Sequence, residues 1–276
     1  MAITPRKRSF PFGPEIPRHW LAGSPFASHL VNGLNLVFPA GERFFMRSVR
    51  HYAHVVEADA VLAGEVRAFL AQEAIHAREH DRFIRLLEED GFDLKRFMTF
   101  YEWTLRRVLE RASPPKLNLA VTVALEHFTA TFAELALTRE TLLEDANPVM
   151  RDLLLWHAAE EIEHKSVAFD VLKKVDPSYG LRVTGLLFAS SSLLAFWWLG
   201  ALTLFQQDRE AKVGRSLADA SASMVRGDLR GLTAGFLSSF VDYLRPGFHP
   251  RDRNNLPLAE TYLRQMAGAI SAPSVT

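Results

Sequence analysis

The sequence predicts an all-α protein. Two observations carry this: long stretches run without a helix breaker between Pro- or Gly-bearing stops, and no segment alternates apolar and polar residues or offers an Asn-Gly hairpin signal. The 276 residues, 48% of them apolar, suffice for a substantial core.

Taken in order, residues 1–38 are interrupted by Pro5, Pro11, Pro14, Pro17 and Pro25 and read as an extended arm with at most short helical turns. Pro39 suits the first turn of a helix, and FPAGERFFMRSVRHYAHVV continues it to about Val56. A second helix fits Ala60 to Asp90 and stops at Gly91. The aromatic segment Phe92 to Arg111 is helical and ends at Ser-Pro-Pro. A fourth helix covers Leu117 to Glu144, closed by DANP, and a fifth runs from Val149 to about Val175. Four principal helices with one extra between the second and third match a ferritin-like bundle with a crossover helix. The bundle is expected over 39–178. Residues 179–276 are expected to add an apolar helix and a C-terminal helical extension packed on it.

Lys+Arg and Asp+Glu both total 32, so the charge balance gives no reason to expect a nucleic-acid partner. Cysteine is absent, which removes disulfides, thiolate metal sites and Cys nucleophiles. The basic N-terminus lacks the apolar core of a secretion signal, so a cytoplasmic location is expected. No Gly-rich phosphate loop and no Gly-x-Ser-x-Gly motif is present.

The stretch WHAAEEIEHKSVAFD concentrates the chemistry. His157, Glu161 and His164 stand at i, i+4 and i+7 and share a helix face. In QEAIHAREH, Glu73, His76 and His80 stand at i, i+3 and i+7, so Glu-x-x-His occurs on two helices. A carboxylate-bridged dimetal site takes that motif from two helices and one Glu from each of the other two. Glu42 and Glu126 are the available acids. Both halves of the chain thus repeat the order Glu, then Glu-x-x-His, over similar spacings.

The expected metal ligands are Glu42, Glu73, His76, Glu126, Glu161 and His164, with His157 as a further nitrogen. His80 and Glu160 are placed around that set, His80 as a hydrogen-bond partner. Glu160 and Glu163 read as solvated or paired with Lys165. His127 reads as a packed or surface histidine, and His51 and His54 carry no special signal. Four carboxylates and two imidazoles suit two divalent cations, iron first, then manganese, then zinc.

These residues resemble a bacterial family of predicted metal-dependent hydrolases, through ITPRK (3–7), IPRHW (16–20), FPAGERFF (38–45), QEAIHAREH (72–80) and EHKSVAFD (163–170). The ligand pattern also looks like the ferritin-like di-iron proteins. The added His157 is similar to the H-x-x-x-E-x-x-H of the p-aminobenzoate N-oxygenase family, a similarity confined to the metal motif. The resemblance implies a di-iron oxygenase or oxidase that activates dioxygen toward an organic substrate, drawing on an electron donor. The alternatives are a hydrolase using a metal-activated water and a non-catalytic metal-binding protein. Oxidation is favoured because carboxylate-rich bundle sites suit redox-active iron.

From Val183 to Gln207 there is no charged residue. The run is long enough to cross a bilayer, yet adjacent Trp197 and Trp198 fit the middle of a span poorly. It is expected to be a buried cap, a surface-lying membrane helix or a span. As a wall beside the metal site, it would favour an apolar small-molecule substrate. Arg251 and Arg253 in the tail read as solvated.

Overall fold

The computed structural model describes residues 3–212 and 225–271. It is all-α, with no strand among the described residues, as the breaker pattern implies. Four long helices carry the architecture: α1 (Pro25–His51), α2 (Ala60–Glu89), α4 (Pro115–Thr138) and α5 (Pro148–His164). The pairs α1/α2 and α4/α5 pack within themselves and meet through α1 and α4. Between the pairs lies α3 (Lys95–Trp103), continued as a π-helical turn from Thr104 to Glu110. This order is compatible with a ferritin-like bundle. Helix α6 (Val167–Val175) follows α5. The apolar α7 (Tyr179–Gln207) lies across α1 and α4, and α8 (Val225–Tyr243) and α9 (Leu256–Ser271) close against α4 and α5.

The helix starts follow side-chain capping. Asp59 accepts from the Leu62 N–H at the start of α2, and Asn147 accepts from Val149 N with Pro148 in the first helical position. Gly91, at φ 93°, ends α2 in the left-handed region that favours glycine.

Three sequence expectations change. Helix α1 begins at Pro25 rather than Pro39, because Ser24 caps it by accepting from Ala27 N and Pro25 occupies its first position. Pro39 sits inside the helix, where its missing N–H costs one ladder bond without ending it. The fourth helix stops at Thr138, short of Glu144. The fifth is broken at Lys165–Ser166, where the Lys165 amine leaves the helix to bond Arg253 O and Asn255 Oδ1.

The N-terminal arm is strapped to the bundle. Phe10 packs on Trp156, Phe12 on Phe83, and the Phe10 N–H donates to Glu79. The end of α7 is clasped as well: Asp208 Oδ2 lies 2.7 Å from His19 Nε2 and 2.6 Å from His29 Nε2.

Both α4 and α7 are long and apolar enough to cross a membrane. α4 is mostly buried because it is the bundle's inner helix. α7 is seated on the bundle by small residues: a Cβ on Gly185 would lie 2.5 Å from the Ala120 backbone, and one on Gly33 would lie 2.6 Å from Ala201 N. Because Ala120 is a backbone obstacle that cannot rotate away, Gly185→Val is expected to destabilise the protein by about 3 kcal/mol. Thermal unfolding by circular dichroism reads this as a fall of roughly 6–12 °C in Tm.

Candidate metal centre

The two Glu-x-x-His motifs meet in the bundle interior. Glu73, His76, Glu126, Glu161 and His164 are buried, as are Glu42 and His157. One donor atom from each of Glu73, Glu126, Glu161 and His164 lies within 4.8 Å of the others, and the same holds for Glu42, Glu73 and His76 and for His76, His157 and Glu161. Glu73 and Glu161 therefore belong to both sides of the cluster. Glu126 and His164 stand on one side, Glu42 and His76 on the other, which mirrors the internal repeat in the sequence.

The donor set fits divalent cations by a direct criterion. Both carboxylate oxygens of Glu42, Glu73 and Glu126, together with Glu161 Oε2, His76 Nδ1 and His164 Nε2, are buried and make no hydrogen bond. His164 Nε2 lies 3.0 Å from Glu73 Oε1, close but without hydrogen-bond geometry. Orphaned carboxylates in an interior are costly, and convergent ones repel one another, unless cations compensate them.

The outward-facing nitrogens are held by hydrogen bonds. His164 Nδ1 meets Gln72 Oε1 at 3.0 Å, so it donates there and leaves Nε2 bare toward the carboxylates. His76 Nε2 meets Glu160 Oε2 at 3.1 Å and leaves Nδ1 bare toward the cluster. His157 points Nε2 at Glu161 Oε1 (2.9 Å) and lies 3.6 Å from Glu42 Oε1, while its Nδ1 meets His80 Nε2 at 2.8 Å. His80 is thus a hydrogen-bond partner of His157, and it also lies within reach of Glu42 and His157 as a further donor.

Glu160 and Glu163 are not solvated, and Lys165 does not pair with them. Arg6, from the arm, donates to Glu160 Oε1 (3.0 Å) and grips Glu163 with both terminal nitrogens (2.6 and 2.9 Å). Glu163 in turn accepts from Gln72 Nε2 at 2.9 Å. One guanidinium therefore anchors two relays, Arg6–Glu160–His76 and Arg6–Glu163–Gln72–His164, one to each Glu-x-x-His imidazole. Sequence reasoning missed Arg6, Gln72 and the inward turn of Glu163, and it read Glu160 as solvated while also placing it around the ligand set. Only the ITPRK motif marks Arg6, since its partners lie more than 150 residues away. Arg6→Ala is expected to weaken metal affinity about 10- to 100-fold with the helical content intact, measured by competition against a chelating dye. Equal affinity in the variant would remove Arg6 from the account.

Burial and neighbouring charges shift the groups of the metal-free cluster in opposite directions. Burial would raise Glu161, but the His164 charge and hydrogen bonds from the surrounding imidazoles hold it well below the usual carboxylate range. Burial opposes charge on His76 and His164 too, yet the hydrogen bond His76 donates to Glu160 and the nearby Glu73 and Glu161 charges lift His76 to about 9, and the Glu161 charge lifts His164 well above its ordinary value. Burial, then neighbouring carboxylates, pushes Glu42 well up. Burial does the same to Glu126, with Glu161 and Glu73 adding to it against the opposing pull of His164. Burial and the nearby His76 lower His157, and burial with the His157 charge lowers His80 well below the ordinary range. Protons, which cations would displace, are thus favoured on His76, His164, Glu42 and Glu126.

Aromatic rings line the site. Trp156 stands edge-on to His76 and Phe69 to His164, and Phe38 packs on both His80 and His157. Phe38 also lines a partly open cavity of about 40 Å³, bounded by α1, α3, α4 and α7. Its wall is mainly apolar, with Val37, Phe44, Leu105 and Leu193 among the lining residues. His127 is a packed histidine, its Nε2 on the Ser239 carbonyl. Arg251 and Arg253 are engaged rather than merely solvated, by Asp170 and Asp242 respectively.

A model of the family described as predicted metal-dependent hydrolase matches residues 4–254. Searches of curated proteins and of solved structures return no significant match.

Proposed function

The chain belongs to the predicted metal-dependent hydrolase family, and from that premise we propose that it is a dimetal hydrolase of an apolar-chain substrate. The observation that carries the reading is the convergence of orphaned buried carboxylates and imidazoles in the bundle interior. Glu42, Glu73, His76, Glu126, Glu161 and His164 would hold two cations, Glu73 and Glu161 between them, with His157 as a further nitrogen. When bound, the cations supply Lewis acidity toward the scissile group and lower the pKa of a coordinated water.

The chain's own residues prepare that chemistry. The Arg6 relays fix which nitrogen of His76 and His164 faces inward. The His80 contact at His157 Nδ1 would orient the ring so that Nε2 faces Glu161 and Glu42. Phe38, Trp156 and Phe69 keep bulk water from the carboxylates. The cavity beyond Phe38 would take an apolar chain.

A second reading is oxidation of such a substrate by dioxygen at two irons. The four carboxylates of the donor set favour it, since hard oxygen ligands suit redox-active iron. Reconstitution separates the two. Metal-free protein loaded with zinc or manganese without oxygen is expected to cleave nitrophenyl esters of medium acyl chains. Oxygen consumption confined to the iron form, with no ester cleavage under any metal, would replace hydrolysis by oxidation.

A further inference from the structure

The outer face of α7 is uncharged from Thr184 to Gln206, roughly 33 Å of helix, although much of it is open to solvent. Leu187 is 55% exposed, Trp198 47% and Leu202 46%. The tryptophan pair divides its roles: Trp197 turns inward and donates Nε1–H to Leu30 O, while Trp198 turns outward.

Beside this stripe lies α3. Gln207 bonds the Asp93 backbone at one end of the contact and Phe196 packs on Phe100 and Tyr101 further along, so the two helices run antiparallel as neighbours. Their outward side chains continue the same apolar surface with Phe100 and Trp103, each more than half exposed. A basic rim accompanies it. Lys95, Arg96, Arg106, Arg107 and Arg111 are exposed, and among the described residues none is in an ion pair, whereas Glu102 is the one exposed acid in this segment.

We propose that α3, its π-helical extension and the outer face of α7 form a membrane-contact surface that seats the protein on an anionic bilayer without crossing it. Apolar patches of this extent are uncommon on soluble monomers. Aromatic and aliphatic side chains beside unpaired Lys and Arg are the composition of an interfacial helix, the rings entering the headgroup boundary and the cations meeting lipid phosphates. Spanning is opposed by the other side of α7, which is locked to α1 and α4 at Gly185 and Ala201 and clasped at Asp208. The contact surface also roofs the cavity: Ser192, Leu193 and Phe196 line it, while Leu194 and Trp198 of the adjoining turns face out. This inference stands apart from the metal chemistry.

Vesicle flotation of the full chain tests it. Binding is expected to vesicles containing phosphatidylglycerol and to be at least tenfold weaker with phosphatidylcholine alone. Trp103→Ser with Trp198→Ser should lower binding tenfold or more, Arg106→Glu with Arg107→Glu should abolish the anionic preference, and alkaline carbonate should release the protein. Circular dichroism and metal content, unchanged in these outward-facing variants, guard against misfolding. Three results would overturn the proposal: no binding to either vesicle, resistance to carbonate as a span would show, or a dimer in solution that the Trp198 variant converts to monomer.

Discussion

Glu161→Ala is expected to lose metal binding by more than about 100-fold, beyond the range for losing an outer hydrogen-bond partner. Glu161 belongs to both sides of the cluster, with one oxygen 2.9 Å from His157, 3.5 Å from His76 and 3.4 Å from His164. Among the described residues, no other carboxylate comes within 4.0 Å of all three imidazoles. Turnover should fall with the metal content. Glu161→Gln keeps the side-chain volume while removing the charge, so it should fail in the same way if charge is what the cations require. Competition against a chelating dye, with circular dichroism to verify folding, reads both variants. Retention of full metal content by either would mean that the carboxylates converge for another reason.

The metal-free protein is expected to lose stability as pH rises from about 6.5 to 9, and the loaded protein to resist that loss. The direction follows from which state holds more protons. His76 is raised to about 9, so its contribution is complete below its unfolded value near 6.5 and vanishes as pH climbs through 9. Glu42 and Glu126, raised well above 4.5, act with the same sign, because the folded chain keeps protons that the unfolded chain releases. Glu161 is shifted the other way, but its contribution is already complete above 4.5 and is flat across this window. Cations must displace the protons on His76 and its neighbours, so apparent affinity should rise by at least about one decade per pH unit in the same range. Thermal melts with and without manganese, and proton release measured by calorimetry in buffers of different ionisation enthalpy, check both halves. A metal-free melting temperature that climbs between pH 6.5 and 9 would reverse the assigned proton positions.

The cluster was legible because metal chemistry leaves short-range spacing in helices. Glu73 and His76, or Glu161 and His164, share a face at i and i+3 whatever else the chain does, and an acid such as Glu126 in an apolar helix stands out. The surroundings were not legible for the complementary reason. Glu160 turns from Glu161 by about 100° on the helix, which alone suggests solvent. It is covered only because an arm from the opposite end of the chain brings Arg6 there. The start of α1 was hidden by Pro39, which looks like a beginning but sits inside a helix already capped at Ser24. Likewise the Val183–Gln207 run announced apolarity without its direction; the small residues facing Ala120 and Gly33 decide which side rests on the bundle.

The central claim is that buried carboxylates and imidazoles from four helices hold a pair of cations. Its most direct test is elemental analysis by inductively coupled plasma mass spectrometry, after reconstitution with iron, manganese or zinc under anaerobic conditions and removal of free metal. The account predicts two ions per wild-type chain and fewer than half as many in Glu161→Ala. A wild-type chain that retains none of the three metals after desalting would contradict it.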